Sequence, residues 1–237
     1  LKKQIKQKGE SLMLDYIWLD DNSPILDQLP HNFTSAAILL HPFVQMPMGW
    51  GQNKRENEHI YPTDEEILKY GKPVSWDAII NKSKLSTYEE LAVALKTSIA
   101  ALRREYARED LADKLKSSME SDLYYLDEDF PTVFLVNDLL NLLSSKGAKK
   151  LSYSDPILDK RGNIELKNLN ALGVSELSLK EVMITDENMD FSFMNVYDSF
   201  ITIIMAKGND INNIVSSINL EAIVCSKNTY INWYSKA

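Results

Sequence analysis

The spacing of apolar residues changes once along this chain, near Gly147, and that change limits the fold more than any other feature. Before it, Leu91, Leu95, Ile99, Leu102 and Tyr106 recur at three- and four-residue intervals, followed by Leu111, Leu115, Met119 and Leu126, then Val133, Val136, Leu140 and Leu143. Such intervals place apolar groups along one face of a helix. After it, short apolar runs and two-residue alternation over 150–153, 177–184, 191–195, 200–206 and 221–225 give the spacing of strands. Helices followed by strands is an α+β order. It predicts a helical middle segment and a mixed or antiparallel C-terminal sheet, with helices packed on one side.

Local signals set the expected boundaries. Thr63-Asp64-Glu65-Glu66 has capping-box spacing and predicts a helix to about Tyr70, and Ser86-Thr87-Tyr88-Glu89 repeats the pattern ahead of the long helix. Pro131 supplies a first helical residue before Val133, and Gly147 supplies a stop. The run Ala36-Ala37-Ile38-Leu39-Leu40 predicts a strand over 34–43, covered on both faces and ending at His41-Pro42. Gly208-Asn209-Asp210 opens a helix through Ile218 that should pack on the sheet. Residues 1–12, rich in Lys and Gln, read as a mobile tail. Residues 13–237 read as one α+β domain, helical over about 63–146 and sheet-rich over about 147–237.

A net charge of −8 repels phosphate backbones and anionic lipid heads at long range, so neither nucleic acid nor membrane is an expected partner. The longest apolar runs, over 36–40 and 200–206, fall far short of the roughly 20 residues of a spanning helix. One cysteine, Cys225, excludes an intrachain disulfide and a multi-cysteine metal site, which fits a reducing compartment and a cytoplasmic location. Its neighbours Ala222, Ile223 and Val224 make it a small hydrophobe rather than a nucleophile. Phosphate-loop, dinucleotide-loop and Gly-x-Ser-x-Gly spacings are absent, and eight glycines supply little material for a phosphate cradle, so no cofactor is expected.

Two segments stand out as candidate sites. Residues 42–62 form the least regular stretch, and Phe43, Met46, Met48 and Trp50 within it offer an apolar anchor for a pocket or a protein contact. Asp127, Glu128 and Asp129 lie in a stretch with no Lys or Arg between Lys116 and Lys146, an acidic surface that would steer a basic protein partner. Carboxylates before Pro131 also suit a helix N-terminus without any ligand. No motif joins nucleophile, base and orienting group, so a non-enzymatic binding or regulatory protein is favoured over an enzyme. The alternative is metal-assisted hydrolysis by His41 and His59, which bracket the irregular loop, with a nearby carboxylate such as Asp64. Against it, the two histidines lack helical i, i+4 spacing, and Thr63 to Glu66 is already explained as a helix cap. The sequence leaves the oligomeric state open.

The final third carries YDSFITII at Tyr197 to Ile204 and INLEAIVCSKNTYINW at Ile218 to Trp233. This Asp-Ser-Phe strand, helix, and Leu-Glu strand followed by Thr and Trp resembles the bacterial domain-of-unknown-function family 2711. The resemblance implies a bacterial cytoplasmic protein with no established activity, and it assigns no functional residue.

Overall fold

The structure is a computed structural model that describes residues 13–53, 61–125, 128–178, 180–208, 210–218 and 221–235. In chain order its elements are α1 (Ile25–Gln28), β1 (Ser35–Leu40), β2 (Phe43–Gln45), α2 (Trp50–Asn53), α3 (Asp64–Tyr70), β3 (Lys72–Val74) and α4 (Trp76–Ser83). Then come α5 (Tyr88–Ser98), α6 (Glu109–Ser118), β4 (Leu123–Tyr124), α7 (Val133–Ser145), β5 (Lys150–Asp155), β6 (Lys160–Glu165) and α8 (Ala171–Ser175). The chain closes with β7 (Met183–Asp186), β8 (Phe191–Asn195), β9 (Ile201–Ala206), α9 (Ile211–Ser217) and β10 (Ala222–Val224). The class is α+β.

The main sheet runs β10-β1-β9-β8-β7-β5-β6, antiparallel at every pairing. All six residues of β1 are buried, as a strand with both faces covered requires. Its register, Ala37 opposite Ile204 and Ile38 opposite Ile203, sends alternate side chains into two separate cores. Ala36, Ile38, Leu40, Met194 and Ile203 meet Trp76, Ile79, Leu91, Leu95 and Leu115 from α4, α5 and α6. Ala37, Leu39, Phe193 and Ile204 meet Val136, Leu139 and Leu143 of α7, Val174 of α8 and Ile214 of α9. Helices thus cover both faces, not one side as expected, because β1 and β9 are buried at every position and leave no face for water. The sheet is also not confined to the C-terminal part, since β1 sits between β9 and β10. A second sheet, β3-β2-β4, flanks the main one. Among the described residues no helix is long and apolar enough to cross a membrane.

The capping box at Thr63 and Glu66 is formed as read. The second shifts by one residue: Thr87 accepts from the Glu90 N–H, while Glu90 reaches back to the Ser86 N–H. The long helix ends at Ser98, and Ala100 follows at φ 57°, so Leu102 and Tyr106 lie outside it. Pro131 is not the first helical residue as expected: Thr132 is the N-cap of α7, and the helix begins at Val133. The strand expected over 177–184 begins to pair only at Met183, because the Asn195 side chain takes the Val182 N–H and Ser178 bonds the Glu181 carbonyl. Strand β6 escaped the sequence reading. It is an edge strand opening Lys160-Arg161-Gly162, and it lacks the apolar alternation of a covered strand.

Candidate functional site

The sequence-predicted residues divide sharply once placed. Phe43 belongs to one core and Met46 and Trp50 to the other, while Met48 alone is open to solvent at 98% exposure. The expected apolar anchor is therefore mostly interior. What holds the loop is Asp122, whose carboxylate accepts from the Gly49 N–H at 2.7 Å and the Gly51 N–H at 3.0 Å. Gly49 has φ 78°, which favours glycine there, and a Cβ on Gly51 would meet the Tyr124 hydroxyl at 3.0 Å, a tight contact that the tyrosine would have to relieve. Asp122→Ala should cost about 2 kcal/mol by freeing two charge-assisted bonds. Urea denaturation with an unchanged midpoint would contradict this role for Asp122.

Asp129 is buried. Its carboxylate pairs with Lys180 and accepts from the Asp198 N–H at 2.9 Å, and its carbonyl accepts from Asn195. Glu128 is half-buried, and its carbonyl accepts from the Ser199 N–H. The expected acidic steering surface is thus in part an internal strut, while Asp127 lies outside the described residues.

His41 is 3% exposed at the end of β1, with Nε2 bonded to Thr202 Oγ1 at 2.9 Å, and burial lowers its pKa to about 3. His59 lies outside the described residues. Among the described residues no three His, Cys, Asp or Glu side chains group to hold a metal ion. Nothing supports the metal-assisted alternative. Cys225 is buried, and burial pushes its thiol up to about 12.

A cleft of about 730 Å³ opens instead beside α7, lined also by Pro73 and Ser75 of the segment that leads into α4. The end of β1 contributes to its lining through Leu40 and Pro42. On one side lies Glu221, whose backbone carbonyl accepts from the Leu40 N–H at 2.9 Å. Its carboxylate receives the first N–H groups of α4, from Trp76 at 2.5 Å and Asp77 at 2.9 Å, with the Tyr88 hydroxyl at 3.5 Å. A carboxylate in that place completes the helix start and sits at the positive end of its dipole. The Trp76 indole N–H donates to the His41 carbonyl at 2.7 Å, which ties α4 to the end of β1.

Across the cleft, α7 presents Phe134, Asp138 and Asn141. Asp138 makes no hydrogen bond or ion pair among the described residues, and burial alone raises its pKa. Asp138 and Glu221 are the charged residues of the lining, both acidic, and no Lys, Arg or His joins them there. Two carboxylates without a cationic side chain, in a lining that mixes apolar residues with Ser75, Asn141, Ser145 and Ser217, give the cleft a negative potential. Sequence reading placed Asp138 in an acidic surface stretch and Glu221 at a strand start. The usable signal was the charged residue of a largely apolar helix, Val133–Ser145, and another carboxylate directly before an apolar strand.

A family model described as "Protein of unknown function (DUF2711)" matches residues 21–235. The likeness therefore spans nearly the whole chain, not the C-terminal third alone. The chain is 47% identical over 224 residues to the "Uncharacterized protein YwbB" of Bacillus subtilis (strain 168), covering 94% of this chain and 100% of that relative. No solved structure matches.

Proposed function

The chain belongs to the DUF2711 family, and we propose that this protein acts by binding, with the cleft beside α7 receiving a lysine or arginine side chain of a basic protein partner. The observation that carries the reading is Asp138, a partly buried carboxylate with no counter-charge among the described residues, in a lining whose other charged residue is also acidic. A cation on an apolar stem fits such a cleft. Its methylenes find Phe134, Leu142 and Ile218, while its charge offsets Asp138. The overall charge of −8 adds long-range attraction for a basic partner.

Calorimetry with a lysine- and arginine-rich peptide, at low and physiological salt, tests the reading. Asp138→Asn removes the charge without altering a bonded group, and affinity should fall about tenfold or more, equal to about 1.4 kcal/mol. Equal affinity for wild type and variant, or no peptide binding at low salt, overturns it. Spermine that binds while the peptide does not would replace the partner protein with a small amine.

A further inference from the structure

On the opposite face of the sheet a smaller cavity of about 230 Å³ holds Lys96 among the rings of Tyr16, Trp18, Tyr197 and Tyr234, with Asp21 also in its lining. Lys96 projects from the last turn of α5. Its Nζ donates to the Asp198 carbonyl at 2.7 Å and lies 5.4 Å from the centre of the Tyr234 ring. That acceptor is neutral. Lys96 forms no ion pair among the described residues, in contrast to Lys180 beyond the same turn, which pairs with Asp129.

We infer that Lys96 is a nucleophilic amine that condenses with an aromatic aldehyde in this cavity. An amine in an apolar enclosure without a bound carboxylate loses part of the solvation that stabilises its ammonium form, and the neutral form is the nucleophile. Burial lowers the Lys96 pKa, with the carboxylates of Asp198 and Asp21 opposing the shift. The four rings suit a flat ring as ligand, and the volume takes about one such ring. Trp18 at 60% exposure and Tyr197 at 54% leave the cavity's aromatic lining open to an incoming molecule.

The step balances with solvent as the proton carrier. Water takes one proton from the Lys96 ammonium, and the freed Nζ lone pair attacks the aldehyde carbon as the C=O π bond opens. A proton passes from nitrogen to the new oxygen, giving a carbinolamine. A proton returned from solvent lets the hydroxyl leave as water while the C=N bond forms. Ammonium and aldehyde become protonated imine and water, with the charge unchanged. The imine N–H can keep the Asp198 carbonyl as acceptor, and its charge remains beside the Tyr234 ring.

Benzaldehyde with cyanoborohydride, which adds hydride to the imine carbon and fixes it as a secondary amine, reads this out by peptide mass spectrometry. Lys96 should be modified roughly tenfold faster than the exposed Lys114 and Lys160, and its rate should saturate with aldehyde. Lys96→Arg keeps a donor for Asp198 and should abolish the adduct at that position with the fold retained by circular dichroism. Trp18→Ala removes an exposed ring and should abolish saturation while leaving Lys114 and Lys160 unchanged. Modification of Lys96 no faster than Lys114 and Lys160, or an unchanged saturable rate in Trp18→Ala, overturns the inference.

Discussion

Replacing Trp76 by Ala should lower the stability of the protein by about 3–5 kcal/mol, the range for truncating a large buried aromatic side chain. Trp76 is 1% exposed and packs against Tyr88 and Trp233, with ring centres 6.3 Å and 6.5 Å away. Its loss opens a cavity and leaves the His41 carbonyl without its donor at 2.7 Å. For a chain of this length each kcal/mol moves the melting temperature by about 2–4 °C, so a fall of roughly 10 °C is expected. Binding in the cleft should weaken as well, since Glu221 is held by the start of the same helix. A melting temperature within about 2 °C of wild type would show that α4 is not the strut described.

Glu181 should behave in the opposite sense. It is 0% exposed, and neither of its carboxylate oxygens has a hydrogen-bond partner among the described residues. Burial is the main cause raising its pKa, its own backbone N–H and Lys180 oppose the shift, and the Asp129 and Asp155 carboxylates add to it. Because the folded-state value lies above the ordinary 4.5, the folded protein holds the proton more tightly than the unfolded chain. The stability from this group is fully present below that ordinary value and is lost as pH rises through the folded value. Glu181→Met should therefore stabilise the protein at pH 8 by about 1–4 kcal/mol, as when a buried charge gives way to an apolar group. Glu181→Gln should abolish the pH-linked part. Between about pH 4 and pH 8 the wild-type denaturation midpoint should fall relative to that of the Gln variant, and a constant difference would refute the assignment.

Features governed by near neighbours were legible in the sequence. Alternation gave β8 over Phe191–Asn195, and the hydroxyl-to-carboxylate spacing gave the start of α3. Val133, Val136, Leu140 and Leu143 all face the core from α7 as their spacing required. Features set by distant partners were not. Trp50 and Met46 read as candidates for a sticky loop, yet Asp122 folds that loop inward through Gly49 and Gly51. Asp129 read as one carboxylate of a charged surface, and only the arrival of Lys180 and Asp198 makes it interior. The cleft exists because α7 and the start of β10 are brought to opposite sides of one space, a meeting that no local pattern in Asp138 or Glu221 records.

The place of β1 between β9 and β10 sets the order in which the molecule can be completed. Ser35–Leu40 is synthesised before both of its partners, which lie within 201–224. At ribosomal rates of about 5–20 residues per second, this apolar strand waits on the order of 10–40 s for its neighbours. Until they are made, α4, α5 and α6 are the elements already available to cover one face of β1, and its edges have no partner strand. Loss of the last strands leaves those edges open to other chains, so a chain that stops before β9 is directed toward aggregation rather than toward a smaller folded product.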